Sequence, residues 1–371
     1  MNRKFFTIFA LLVVSSLLLA ACAPAPSDTT ADTDAPPAEE ATVAPTLAPA
    51  PAGHGVTLSA VVDRGTLICG VNSQVPGFGY VDANGDFSGF DVDFCRAMAA
   101  AIFGDPDLVQ YRPVTTTDRF TALQSGEIDV LSRNTTWSLV RDTELAGNFV
   151  HTTFYDGQGM MVPTALGATT LQDLEGATVC VQTGTTTELN LADVMASEGV
   201  SYTPAVFEDA DATFAAYQEG RCDAVTTDKS GLIARKTILA DPAAHMIMDV
   251  TMSKEPLGPM VRHGDDQWFD ITQWTVFVLI AGEEFGITSA NVDDMRASAT
   301  APEVRRLLGL EGDLGLKLGL SNDWAYNVLA QVGNYAEVYN RNLGPDTPTY
   351  IPRGLNSSYL EGGVLYAPPF R

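Results

Sequence analysis

Apolar positions along residues 56–371 follow two rhythms. Thr66–Val71 and Thr178–Val181 are short, nearly continuous apolar runs and read as buried strands, whereas Phe90–Ile102 carries apolar residues at helical spacing. Val276–Ala281 lies within Ile271–Phe285, where Thr, Gln and Glu interrupt the apolar character. It falls far short of the roughly 20 residues a membrane span needs, so a core helix is expected. Ser321–Gly344 reads as one capped helix, with Asn322 and Asp323 before Trp324 and glycine at its end. The last 27 residues are loop-rich and receive no assignment.

One stretch occurs twice. Phe120–Asn134 aligns with Phe214–Asp228 at a constant offset of 94, with Phe, Ala, Gln, Gly and Asp coinciding. Each copy reads as a helix, a glycine C-cap and a strand with a short polar end. This predicts an α/β chain with two lobes, each ending a strand at an equivalent polar residue, Asn134 in one and Asp228 in the other. Open α/β sheets bind ligands beyond the carboxyl ends of their strands, so two facing lobes would form a cleft. The chain is expected to cross between lobes near Tyr155–Met161 and again near Glu255–Val261.

The N-terminus changes the picture of the ends. Arg3 and Lys4 precede an apolar run from Phe5 to Leu19, and small residues lead to Cys22. This is a signal segment, 1–21, outside the fold. Leu19-Ala20-Ala21-Cys22 resembles the lipobox of bacterial lipoproteins, which implies cleavage before Cys22 and lipidation of that residue. An ordinary secretory signal followed by a chance cysteine is the alternative. Ala23–Gly53 contains seven prolines, ten alanines and five acids but no Lys or Arg, so 22–55 is expected to be a disordered Pro/Ala/Thr tether.

The chain has 21 basic and 46 acidic residues, a net charge of −25; losing the signal removes two cations and leaves −27. Such a charge balance argues against a basic nucleic-acid footprint and against a basic lipid-docking patch. Hydrophobic residues at 46% suffice for a core. Beyond the signal remain Cys69, Cys95, Cys180 and Cys222, without CxxC pairs or nearby histidines, which argues against a metal site. Three disulfide pairings are open, as are four reduced thiols. The local solution, Cys69–Cys95 with Cys180–Cys222, would staple each half separately.

Candidate chemistry concentrates in Val181–Glu188, which reads Val-Gln-Thr-Gly-Thr-Thr-Thr-Glu. Thr185 and Glu188 form a capping-box pattern, placing a helix start directly after a strand. Free N–H groups there would suit an anion, and without a following lysine a carboxylate fits better than a nucleotide phosphate. Arg141 follows the first polar strand end and has the fork that matches a carboxylate. Asp228 would accept an ammonium. Together they would hold an α-amino-acid zwitterion, although singly each has an ordinary reading as ligand-free cap, surface ion pair or turn residue.

Gly70–Phe78, Gly89–Asp93, Arg119-Phe120, Ser132–Trp137, Gln182–Glu188, Thr227-Asp228 and the tail segments Asp323–Tyr326 and Tyr366–Arg371 carry a family resemblance. Across about residues 56–371 the chain resembles bacterial amino-acid ABC-transporter solute-binding proteins of family 3, in particular the general L-amino-acid-binding subfamily. The resemblance implies an α/β two-lobe periplasmic-binding-protein-like (type II) fold with a cleft and two crossover strands. Lobe 1 would comprise 56–157 and 256–371, and lobe 2 would comprise 158–255. It assigns Arg141 to the ligand α-carboxylate with the Thr136 hydroxyl beside it, Thr185 and Thr186 as second-lobe backbone donors, and Asp228 to the α-ammonium. Asn134 closes the first-lobe strand end, Asn72 matches a polar contact position and Phe78 a cleft-edge aromatic, with a place in the lobe 1 core as its other reading. Arg133 and Trp137 become possible side-chain contacts. Val75 departs from the stacking aromatic of narrower relatives and points to a broader pocket.

The implied protein is an exported, lipid-anchored monomer on the extracytoplasmic side, without cofactor, that delivers L-amino acids to an ABC permease. The rivals are a cyclohexadienyl-dehydratase-like enzyme on the same fold and an amino-acid sensor domain. The enzyme would need a poised acid or base, but His54, His151, His245 and His263 form no triad or metal spacing and no Gly-x-Ser-x-Gly elbow occurs. A sensor would be expected to continue beyond the loop at Arg371.

Overall fold

The structure, a computed structural model, describes residues 55–145 and 147–371. The signal segment, Cys22, His54 and the tether up to residue 54 lie outside the described residues. Two five-stranded sheets organise the remainder. In the first, Leu67–Val71 lies between parallel Val109–Pro113 and Val130–Leu131, followed by Met260–Arg262 and Gly147–Phe149. In the second, Thr178–Gln182 lies between parallel Thr203–Phe207 and Ala224–Asp228, followed by antiparallel Gln158–Pro163 and His245–Ile247. The two orders are equivalent, as the internal repeat predicts.

The repeat encodes a specific device. Asp129 accepts a hydrogen bond from Ile68 N and Asp223 one from Thr178 N, each at 2.8 Å. Each carboxylate therefore satisfies a backbone donor near the start of the strand that opens its half of the chain, a group that would otherwise need water. Gly126 and Gly220, at φ +79° and +73°, turn the chain into the two equivalent strands.

The sheets are joined by an antiparallel ribbon, Phe154–Asp156 with Glu255–Leu257. Gln158–Pro163 already belongs to the second sheet and Met260–Arg262 to the first, so the crossings are shorter than the sequence pattern suggested. The large core packs helices Phe90–Phe103, Asp266–Glu284 and Trp324–Gln331 onto the first sheet around buried Trp268, Met98 and Tyr339. Val276–Ala281 is buried inside Asp266–Glu284, and no described helix is long and apolar enough to cross a membrane. Both local disulfides form, Cys69–Cys95 and Cys180–Cys222, with Cα separations of 6.2 and 5.7 Å.

Ser321–Gly344 is not one helix. It splits into Trp324–Gln331 and Tyr335–Leu343, because Gly333 adopts φ +92° and Asn334 starts a new capping box with Glu337. The unassigned tail is ordered by side-chain ties. Asn356 Oδ1 accepts from Tyr155 N at 2.6 Å and its Nδ2 donates to Tyr155 O at 3.1 Å, fastening the tail to the inter-lobe ribbon.

Candidate functional site

The polar ends of the two repeats meet in one cleft of about 630 Å³, counting its mouth. On the first-lobe side, Asn134 N donates to Asp91 Oδ2 at 2.6 Å and Asn72 Nδ2 donates to Asn134 Oδ1 at 2.9 Å. Ser138 then caps the short helix Leu139–Thr143, which turns Arg141 inward. Arg141 Nη1 donates to Thr136 O at 2.9 Å, and its guanidinium lies 5.5 Å from the Phe120 ring centre.

On the opposite side, Thr185 caps Thr186–Ser197 by accepting from Glu188 N at 3.0 Å. The capping box is only half formed, because Glu188 Oε2 accepts from Gly184 N at 2.9 Å, one residue earlier than the pattern requires. Asp228 ends its strand and starts the helix Lys229–Lys236, yet its side chain caps nothing. The lobes touch where Gln182 Nε2 donates to Thr116 Oγ1 at 2.6 Å and where the Thr136 and Thr186 hydroxyls stand 3.3 Å apart.

Charge in the cleft is buried and left open. Arg119, Arg133 and Arg141 are only 3%, 6% and 7% exposed, and none of them pairs with a carboxylate within 4.0 Å among the described residues. Burial pushes all three guanidinium groups down, Arg133 to about 10, and the charges of Arg141 and Arg133 lower Arg119 further. Asp228 is pushed well above the ordinary carboxylate range, first by burial and then by the nearby charges of Asp156 and Glu255. Asp91 rises to about 7 and Asp156 to about 6, chiefly through burial. A cleft with cations lacking ion pairs on one wall and, on the other, a carboxylate whose charge burial disfavours suits a ligand carrying both signs.

Asn72, Arg133, Asn134, Thr136, Arg141, Thr185, Thr186 and Asp228 all line this cleft. Two expected contacts do not. Phe78 is buried in an aromatic cluster with Phe90 and Phe154, its ring 5.1 Å from that of Phe154. Its backbone is held inside as well, since Asp91 N donates to Phe78 O and a Cβ at Gly89 would stand 2.1 Å from that oxygen. Trp137 faces outward, stacked on Phe149 at 5.8 Å. Alternation along the chain puts it on the side opposite Thr136. Val75 lines the cleft where an aromatic was absent from the sequence.

The model of bacterial extracellular solute-binding proteins, family 3, matches residues 67–286. The chain belongs to this family. It is 54% identical over 324 residues to the general L-amino acid-binding periplasmic protein AapJ of Rhizobium johnstonii, covering 87% of this chain and 95% of the relative. It is 51% identical over 320 residues to the glutamate/glutamine/aspartate/asparagine-binding protein BztA of Rhodobacter capsulatus, covering 86% and 95%. Among solved structures, a periplasmic binding protein from Brucella ovis with glutathione bound shares 48% identity at a TM-score of 0.83, covering 86% of this chain and all of that one.

Within this family 3 protein, the sequence reading left several cleft residues without a role. Arg119, Thr116, Gln182, Thr213 and Thr227 also line the cleft. Extending the 94-residue offset from Arg133 would have found one of them, Thr227. Glu255 had no such signal. Fully buried on the inter-lobe ribbon, its Oε2 accepts from Thr136 Oγ1 at 2.5 Å and Thr186 Oγ1 at 2.8 Å, while Oε1 accepts from Asn190 Nδ2 at 2.8 Å and from Ser253. It therefore joins hydroxyls from both lobes. Glu255→Gln should weaken ligand binding by about 1.5–3 kcal/mol, roughly ten- to 150-fold, since hydrogen bonds to a charged group are worth that much. Calorimetry and ligand-release kinetics check this, and wild-type affinity and release would show that Glu255 only braces the ribbon.

Proposed function

We propose that this chain is the extracytoplasmic solute-binding subunit of an ABC importer and captures L-α-amino acids between its lobes. One observation carries the reading: Arg141, buried without an ion pair, and Asp228, buried without a hydrogen-bonding partner for its carboxylate among the described residues, line the same cleft. An α-carboxylate supplies the acceptor that Arg141 lacks, with the N–H groups at the start of Thr186–Ser197 as neighbouring donors, and an α-ammonium supplies the cation that Asp228 lacks. Lobe 1 is taken as 56–157 with 256–371 and lobe 2 as 158–255, closing on the ligand about the ribbon Phe154–Asp156 and Glu255–Leu257. The names of the relatives, amino-acid-binding proteins, support this reading.

Attachment through lipidated Cys22 and a flexible tether would keep the protein at the membrane as a monomer beside its permease. Binding is preferred to catalysis because the described histidines are engaged elsewhere: His151 against Phe277, His245 with Tyr217 and His263 with Asp142 O. None of them lines the cleft, so none is placed as a general acid or base there. Calorimetry with a panel of L- and D-amino acids tests the proposal. Saturable binding of L-forms without turnover is the expected result, and no binding by any member, or conversion of a ligand, overturns it.

A further inference from the structure

The zwitterion accounts for Arg141 and Asp228 but leaves two buried guanidinium groups in the same wall. Arg133 donates from Nε to Val114 O at 2.9 Å and from Nη2 to Thr116 Oγ1 at 3.2 Å, both neutral acceptors. Arg119 donates from Nη1 to Thr135 Oγ1 at 3.3 Å, and its Nε is buried with no partner. Thr116 Oγ1 already accepts from Arg133 and from Gln182, so its own proton is left to donate. Asp91, Asp118 and Asp228 act on Arg133 through space, and Asp228 acts on Arg119 as well, but Asp91 Oδ2 is already bonded to Asn134 N and no acid reaches ion-pair distance of either arginine among the described residues. This wall offers donors in excess of acceptors.

We infer that Arg133, with Arg119 and Thr116, forms a second carboxylate subsite that reads an acidic side chain on the bound amino acid. The inference rests on the amino-acid reading above and narrows it. A side-chain carboxylate accepts from two donors at once. An isosteric amide accepts with its oxygen but turns an NH₂ group against a donor-rich wall, leaving polar groups unpaired in a buried place. Sites of this kind discriminate strongly between such analogues. An aliphatic side chain satisfies neither guanidinium. Glutamate or aspartate is therefore the preferred class, ahead of glutamine, asparagine and leucine.

Calorimetry at neutral pH with L-glutamate, L-aspartate, L-glutamine, L-asparagine and L-leucine tests the inference. The expected result is that the better of the two acids binds at least tenfold more tightly than its own amide. In Arg133→Met that acid-to-amide ratio should fall at least tenfold, and Arg133→Lys should restore part of it by returning the charge. Thermal melts of both variants verify that they fold. Glutathione also carries a second carboxylate, that of its glycine, on a longer reach. If it outcompetes glutamate, the supporting outcome requires its affinity to fall at least tenfold in Arg133→Met. Equal affinity for acids and amides, or a loss in Arg133→Met that is uniform over all ligands, overturns the subsite while leaving amino-acid binding standing. Failure of every amino acid to bind overturns the amino-acid reading as well.

Discussion

Arg141→Ala is expected to abolish measurable amino-acid binding while leaving the fold intact. The guanidinium is buried, is held by Thr136 O at 2.9 Å and the Phe120 face, and offers its remaining donors to the cleft. Alanine would leave the ligand carboxylate enclosed without its charged partner. Breaking one half of a buried pair costs about 3–5 kcal/mol, or two to three and a half orders of magnitude in Kd. Folding should survive, since Arg141 lies in a five-residue helix beside the cleft and outside the cores of both sheets. Calorimetry reads the loss and circular dichroism verifies the fold. Arg141→Lys should recover only part of the affinity, because an ammonium cannot reproduce the planar fork. Wild-type affinity in Arg141→Ala would refute the assignment.

The second large effect concerns Asp228. Asp228→Asn keeps the shape but removes the charge proposed to meet the ammonium, so affinity should fall by about 3 kcal/mol or more, over a hundredfold. Wild-type binding also carries a pH signature. In the empty cleft, burial and the charges of Asp156 and Glu255 hold the Asp228 carboxyl well above its ordinary range. The sign follows directly. A carboxyl whose folded value exceeds its unfolded value binds extra protons when folded, so the empty form loses stability as pH rises toward the folded value. An ammonium favours the ionised carboxylate, so binding expels that proton and affinity falls as pH drops through the raised value. Calorimetry in buffers of different ionisation enthalpy should detect proton release in the wild type and little in Asp228→Asn. Binding without proton release in the wild type, from neutral pH down to pH 5, would contradict the role.

Much of this architecture was legible along the chain. The helix, glycine and strand that recur 94 residues apart place two equivalent sheets before any coordinate is known. Local signals were sufficient because each device acts within its own unit: Gly126 and Gly220 turn the chain, Asp129 and Asp223 tie the strand to its neighbour, and Thr185 caps its helix. The break inside Ser321–Gly344 also had a local cause, glycine followed by Asn334 and Glu337, but the surrounding apolar periodicity concealed it.

The cleft divides differently. Arg141 and Asp228 were identifiable as cleft residues because Arg141 follows one polar strand end and Asp228 forms the other. Phe78 was misplaced because an aromatic at the end of a glycine-bearing loop has no local mark that distinguishes cleft edge from core; its packing on Phe154 comes from a segment 76 residues away. Trp137 was misplaced because adjacent residues in extended chain face opposite sides, and only the pairing of Thr136 with Leu257 sets which side is inward. Glu255 was invisible, since one glutamate among many acquires meaning only when hydroxyls from two sheets converge on it.

The sequence by itself determined that there are two α/β units, where their helices and strands turn, and which residue types stand at their polar ends. These are short-range properties, written in periodicity and caps. The tertiary structure alone decided which charges share a cavity and which of them lack partners. Arg119, Arg133, Arg141 and Asp228 lie up to 109 residues apart, and the consequence of burying unpaired charge exists only when the two sheets meet and exclude water.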